Sequence, residues 1–454
     1  QKFMGEKENF NDTTAYYVPQ ITTPLGGYPA LSMADYMGIP TSINGMPTIS
    51  ALWMRAYNLI FNEWFRDENL VSPAADNRSS DGPDDYTDYP LRRRGKRHDY
   101  FTSALPQPQK GPAVQIPMGA TAPVYGTGKA LGLTNGGQNF GLYGGVGSPG
   151  YITDDTTLYG ANVGAGYGPT HFVSRNNAIG VVTSGTSGLQ ADLSVATAVT
   201  INALREAIQL QKMLERDARG GTRYTEILRA HFNVVSPDTR LQRPELLGLG
   251  SCRINIHPVQ QTSGTPASPS GTHPNTPQGN LAGYGIAADN SGGFHKSFVE
   301  HCTILGLACV RADLTYQNGI PRMFSRQTRY DYYWPALAHL GEQAILNKEI
   351  YVSGSGSDTG VFGYQERYAE YRYKPSQITG IFRSNHPQTL DSWHYSQKFT
   401  SLPSLGSTFI SEDPPIDRTI AVESQPHLIF DSLFDLQCAR PMPLYSVPGL
   451  IDHF

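Results

Sequence analysis

The stretch PLRRRGKRHDYF, Pro90–Phe101, concentrates Arg92, Arg93, Arg94, Lys96 and Arg97 in a chain whose formal net charge is −4. Side-chain cations at this density neutralise phosphates, and the adjoining Tyr100 and Phe101 offer rings on which bases stack. A plainer reading competes with this one. Between Asp76 and Asp99, six acids (Asp76, Asp81, Asp84, Asp85, Asp88, Asp99) balance six bases, Arg78 and the five above, in segregated blocks. Pairing of those blocks, within a subunit or between subunits, is favoured on the sequence alone. Two further mixtures of arginine and tyrosine could touch single strands or form interfaces: GTRYTEILR with Arg223, and PRMFSRQTRYDYYWP with Arg326 and Arg329.

Other chemistry is sparse. GTGKALG, Gly126–Gly132, lacks the first glycine of a phosphate loop, because Pro123 stands there, and Ala130 follows Lys129 instead of Ser or Thr. No nucleophile elbow, HExxH helix or EF-hand loop is present. Asp81, Asp84, Asp85 and Asp88 could gather a divalent cation, but their spacing fits no known loop, and a solvated or salt-bridged acidic loop is preferred. His295, His301 and Cys302 show no metal-ligand pattern. Cys252, Cys302, Cys309 and Cys438 form no CxxC pair and read as reduced thiols of an intracellular protein. No enzyme, metal or cofactor is expected.

The elements that position these residues follow from pattern. With 454 residues and 39% hydrophobic content, the chain can bury a sizeable core, as two domains or one domain with large insertions. Charged residues make up only 16%, while Tyr (26) outnumbers Phe (18), which suits a surface that partners cover. No apolar run is long enough to cross a membrane, and the polar start has no signal-peptide core. Residues 1–47 read as an extended arm. Ser50–Leu70 reads as a helix capped by Ser50, with Leu52, Ala56, Ile60 and Trp64 beside Trp53, Tyr57, Phe61 and Phe65 in one apolar stripe. Ile201–Gly221 and Thr222–Phe232 read as helices, the first ended by Gly220-Gly221, and 260–293 as a loop. Tyr368–Lys374 alternates apolar and charged residues, hence a strand, and His427–Ala439 puts Phe430, Phe434, Leu436 and Cys438 on one face. The Gly-rich segment near 111–190 lacks periodicity and reads as a long insertion. The whole suits a mainly β fold, a jelly-roll sandwich with long inter-strand insertions and a few helices.

Several long stretches are similar to one family. RAYNLIFNEWFRDENL, RGKRHDYFTSALPQPQKG, LERDARGGTRYTEILRAHF, SPDTRLQRPELLG, VRADLTYQNGIPRMFSR, YYWPALAHLGEQAILNKEIY, VFGYQERYAEYRYKPSQITGIFRS and CARPMPLYSVPGLIDHF resemble, in order, the major capsid proteins of microviruses, above all the gokushoviruses. The resemblance implies a viral jelly roll, divided as an arm, docking helix and first strands (1–123), a variable insertion (124–189), and the remaining helices, strands and extended tail (190–454). It implies a virion protein made in the host bacterial cytoplasm. Sixty copies would close a T=1 shell around circular single-stranded DNA. Expected partners are scaffolding, DNA pilot and small DNA-binding virion proteins, and a host cell-surface receptor met by the insertion. Genome contact by the basic stretch gains weight from this resemblance, level with subunit contact. A non-viral β-sandwich that binds carbohydrate at a surface is the alternative.

Overall fold

The computed structural model describes residues 18–115, 124–126, 133–135, 138–140, 180–181, 189–191, 201–267, 269, 278, 281–422 and 424–440. The arm before residue 18, the tail after 440 and most of the Gly-rich insertion lie outside the described residues. Two compact units are present: residues 1–106 with 236–454, and residues 107–235.

In chain order the strands are β1 (Gln20–Thr22), β2 (Ile49–Ser50), β3 (Asp84–Asp85), β4 (Val124–Gly126), β5 (Leu133–Asn135), β6 (Gln138–Phe140), β7 (Gly180–Val181), β8 (Leu189–Ala191), β9 (Asn255–Gln260), β10 (Leu281–Ile286), β11 (Glu342–Leu346) and β12 (Val361–Glu366). The α-helices are α1 (Met33–Tyr36), α2 (Leu52–Ile60), α3 (Ile201–Gly220), α4 (Tyr224–Phe232), α5 (Asn347–Ile350), α6 (Ala369–Arg372) and α7 (Ser407–Ile410).

In the first unit, β1 pairs antiparallel with β2 and parallel with β3. Ile21, Tyr28, Met33, Ala34, Ala51, Met54 and Tyr89 close one core over this sheet. Helix α2 is continued by a π-turn, Phe61–Phe65, in which Arg66 N–H reaches back to Phe61 O at 2.9 Å. The buried face of α2 differs from the expected stripe. Trp53 and Trp64 stay 47% and 46% exposed, while Arg55 and Asn58 are buried. The reason is polar. Arg55 forms a two-pronged pair with Asp84, Nε–Oδ2 2.7 Å and Nη2–Oδ1 2.6 Å, and the Tyr89 hydroxyl donates to the same carboxylate. Asn58 donates to the carbonyls of Ala75 and Asp88, and Asn62 exchanges two bonds with Ala74. A helix that fastens the loop 74–89 through its amides and guanidinium turns that face inward and leaves its tryptophans outside. The cap also differs: Ala51 is the N-cap, and Ser50 Oγ only accepts from Leu52 N at 3.4 Å.

A second core joins Tyr100, Phe101 and Ala104 to Ile345, Ile350, Phe362, Ala369 and Phe409. It lies on the antiparallel pair β11–β12, in register Glu342↔Glu366 with an irregularity at Ile345/Leu346. Gly319 passes so close to the backbone of Glu349 and Ile350 that a Cβ would overlap Glu349 O. In the second unit β4 pairs with β8, and β5 lies between β6 and β7. There α3 and α4 form as expected. Gly220 lets them meet, since a Cβ there would run into the Ala230 side chain.

Among the described residues the sheets have two or three strands and no sandwich closes. Residues 301–312 and 424–440 have no ladder partner. Tyr368–Lys374 is not a strand. Tyr368 takes a left-handed conformation (φ 65°), and Ala369–Arg372 makes one helical turn. The expected loop 260–293 contains β10, paired with β9 from Leu281↔Gln260 to Ile286↔Asn255.

Asp84→Ala strands a buried guanidinium and is expected to cost about 3–5 kcal/mol, whereas Arg55→Met with Asp84→Leu costs much less. Urea unfolding of the three proteins checks this; equal losses would refute the reading of the pair as a desolvated charge couple.

Candidate nucleic-acid and assembly interface

The basic stretch is an irregular strap laid beside residues 410–412. Lys96 N donates to Ile410 O (2.7 Å), Glu412 N donates to Arg94 O (2.9 Å), and Gly95 bridges Ser411 in antiparallel sense. Two of the strap's cations, Arg93 and Arg97, are paired with carboxylates, and these are not in the acidic block upstream. Arg93 pairs with Asp413, and Arg97 pairs with Asp313 at 2.8 Å. Arg92 lies over the Phe61 ring (5.2 Å) and Arg94 over Phe65 (5.0 Å), with Arg94 Nη1 3.4 Å from Cys309 Sγ. Arg311 binds both Glu412 (2.6 Å) and Gly95 O (2.7 Å), which locks the strap in place. The acids upstream have other duties: Asp84 holds Arg55, Asp76 holds Arg78, and Asp88 accepts from Asn77. Within the subunit, the expected pairing of the two blocks is thus replaced by separate pairings. A strap held antiparallel to 410–412 meets the acids that segment carries.

Lys96 is the odd member of the strap. It is buried, its Nζ lies 4.3 Å from the Phe409 ring centroid and 5.7 Å from that of Tyr316, and it donates to Gln397 Oε1 at 2.8 Å. Burial outweighs the attraction of Asp99, Asp413 and Glu412, and lowers its pKa to about 8. Such a group does not present a charge to a polyanion. Tyr100 and Phe101 are likewise core residues and cannot stack on bases from where they stand.

Arg223 precedes α4 and engages Glu226, both by Nη1–Oε1 (3.0 Å) and by its own N–H (3.0 Å). Its role in the described geometry is to start that helix. Arg326 lies between the rings of Tyr371 (4.3 Å) and Tyr332 (5.2 Å) and reaches Glu370 at 3.5 Å. Arg329 is exposed, lies over Tyr330 (4.8 Å) and donates to its hydroxyl at 2.7 Å. Sequence reading missed Arg367, whose guanidinium covers the Tyr368 ring at 5.0 Å. It also missed the buried centre under this cluster. There Glu349 receives Arg322 (2.8 Å), the Tyr100 hydroxyl (3.1 Å) and Leu346 N (2.9 Å), while burial, its largest influence, raises its pKa. The density of Arg and Tyr in 322–334 and 364–374 was the available signal.

Among the described residues no group of three or more His, Cys, Asp or Glu is placed to hold a metal ion, and no helix is long and apolar enough to cross a membrane. Large apolar side chains are instead displayed on extended chain: Ile304, Leu307 and Val310, and then Ile429, Phe430, Leu433, Phe434 and Leu436. Ile429 is 100% exposed and Leu433 95%. Uncovered apolar chain of this extent marks a surface suited to contact with a partner.

The family profile of the phage capsid protein (F protein) matches residues 1–450, and the chain belongs to that family. Capsid protein VP1 of Bdellovibrio phage phiMH2K is 47% identical over 458 residues, covering 100% of this chain and 83% of the relative. Capsid protein VP1 of Chlamydia phage 1 is 43% identical over 97% of this chain and 81% of the relative, and that of Spiroplasma virus 4 is 39% identical over 99% and 82%. The protein is therefore a structural component of a microvirus capsid, and not an enzyme. Its membership selects the capsid reading over the carbohydrate-binding alternative.

The lowered Lys96 pKa carries a sign. Between about 8 and the ordinary lysine value, the unfolded chain binds more protons than the folded one, so stability rises with pH across that window. Urea titrations at pH 8 and pH 10 are expected to show a gain of up to about 2 kcal/mol that Lys96→Met lacks. Identical slopes in the two proteins would mean that Lys96 keeps an ordinary ammonium.

Proposed function

We propose that this chain is the principal building block of a T=1 shell, sixty copies closing around a circular single-stranded DNA genome. The carrying observation is the uncovered chain at 424–440. A lone extended segment displaying Ile429, Phe430, Leu433 and Phe434 to water gains nothing to offset its ordering cost. Covered, each such side chain contributes about 1.5–3 kcal/mol. The same need applies to residues 246–260 and 281–312, where Leu246, Leu249, Ile256, Val299 and Val310 are exposed. In this reading these segments complete the jelly-roll sandwich that the family implies, and neighbouring subunits cover what remains.

The segment 124–189 is the outward protrusion that meets a host cell-surface receptor. Its support is compositional, glycine with little periodicity, the pattern of a variable surface loop. Assembly takes place in the bacterial cytoplasm with scaffolding, DNA pilot and small DNA-binding proteins as partners. Genome contact falls to the exposed arginines of the family-like segments. Arg93 and Arg97 contribute least to it, because Asp413 and Asp313 already neutralise them.

Electron microscopy of particles made with the partner proteins supplied, combined with nuclease protection, tests the reading. Uniform small icosahedra that protect single-stranded DNA are expected. Ile429→Asp with Leu433→Asp is expected to reduce particle yield at least tenfold. Wild-type protein that stays dispersed with all partners present would overturn the shell assignment, and full yield from the double variant would overturn the role of 424–440.

A further inference from the structure

The proposal rests on the shell reading and concerns which surface meets the genome. Of the three segments that combine arginine with tyrosine, the one at Arg223 is engaged with Glu226 at the start of α4, which leaves two. In the strap 90–101, Arg93 and Arg97 are paired with Asp413 and Asp313, Lys96 is buried, Arg92 and Arg94 lie over single phenylalanine rings, and the strap's own Tyr100 and Phe101 are in the core, so it offers no ring to a base. The second is an aromatic cluster formed by residues 329–334 and 367–371. Tyr333 packs edge-on against Tyr368 (5.1 Å) and Tyr371 (6.4 Å), and Tyr368 packs edge-on against Tyr371 (6.0 Å). Three guanidiniums are stacked into it: Arg326 on Tyr371 and Tyr332, Arg329 on Tyr330, and Arg367 on Tyr368.

The backbone of the segment is pinned from below. Tyr333 N donates to the Tyr371 hydroxyl, Trp334 N to the Tyr368 hydroxyl, and the Tyr368 hydroxyl to Tyr332 O. Asp331 is tied to its own loop by Gln327 N, Thr328 N and the Thr328 hydroxyl. What remains available is ring surface and positive charge. Tyr330, Tyr332, Tyr333 and Trp334 are each about half exposed. Among the described residues, neither Arg329 nor Arg367 has a carboxylate partner.

We propose that this cluster is a single-stranded DNA platform: Tyr330, Tyr332, Tyr333 and Trp334 stack bases, and Arg329 and Arg367 meet phosphates. Half-exposed rings with guanidiniums beside them stack any base, which suits a genome of arbitrary sequence. Charge separates this surface from a subunit interface. An apolar face of a second copy covering it would desolvate the exposed Arg329 guanidinium, which has no carboxylate partner among the described residues, and leave the buried Arg367 Nε unsatisfied, whereas a phosphate satisfies both. The contrast with 424–440 is chemical. There Asp431 and Asp435 interleave the exposed side chains of 429–436 with no cation among them, whereas 329–334 sets Arg329 beside Asp331, whose carboxylate is taken up by Gln327 N, Thr328 N and the Thr328 hydroxyl.

The experiment is binding of a fluorescein-labelled oligothymidylate to the full chain, with packaging in particles as second readout. Tyr330→Leu with Tyr333→Leu is expected to weaken oligothymidylate binding about tenfold or more, and Tyr330→Phe with Tyr333→Phe to retain it. Arg329→Gln is expected to lower the salt dependence by about one phosphate contact, and Arg93→Gln to leave it unchanged. The leucine variant should form shells that hold less DNA. Unchanged binding and packaging in both the leucine and Arg329→Gln variants would overturn the platform while leaving the shell intact. Lost shell formation with oligothymidylate binding preserved would show that a second copy of the chain occupies the surface. Absence of wild-type shells would count against the shell reading, while binding lost only in the leucine and Arg329→Gln variants would still support the platform. Should the leucine variant not fold, Arg329→Gln alone decides.

Discussion

The larger unit depends on one buried carboxylate. Glu349 is the third residue of α5, the turn that follows β11, and its carboxylate is removed from water by the core around Ile345 and Ile350. Such a charge is tolerable only if it is bonded on every side. It takes the guanidinium of Arg322, the hydroxyl of Tyr100 and the backbone of Leu346, so three segments far apart in sequence must converge there. Tyr100 brings the strap with it. Arg322 brings the segment that carries the aromatic cluster, and Glu370 ties the cluster back through Arg322 at 3.8 Å and Arg326 at 3.5 Å. The surface that displays Tyr330 and Trp334 is thus rigid because a carboxylate beneath it is.

The same economy explains a low charge content. Three of its ion pairs, Arg55–Asp84, Arg322–Glu349 and Arg311–Glu412, are turned inward and fix irregular backbone that has few ladders. Short sheets and turns supply little regular hydrogen bonding, so side chains fasten the loops. Asn58, Asn62, Gln317 and Gln365 each bond a loop carbonyl or hydroxyl distant in sequence. Surface left free of paired charge is then available to neighbours.

Legibility in the sequence followed the range of the forces involved. Helices α3 and α4 were readable because period, glycine stop and capping are local. Family membership was readable because long stretches matched in order. The inward face of α2 was not, since Arg55 and Asn58 look like solvent residues until Asp84 and the carbonyls of Ala75 and Asp88 are folded against them. The alternation in Tyr368–Lys374 misled for a related reason. Glu370 turns toward Arg326 and Tyr371 toward Tyr333, so a helical turn serves the pairing better than a strand would. The strap was legible as a concentration of charge. Its partners Asp413 and Asp313, more than two hundred residues away, were not.

The uncovered chain around Ile429 and Leu433 also sets a clock. An extended apolar segment with open backbone donors and acceptors pairs with any similar segment it meets. For a free subunit, correct capture by neighbours competes with adventitious strand pairing, and the second route gains as concentration rises. Synthesis of this chain and its incorporation into shells must therefore keep pace with each other, and a host that makes subunits faster than shells consume them accumulates aggregate in place of virus.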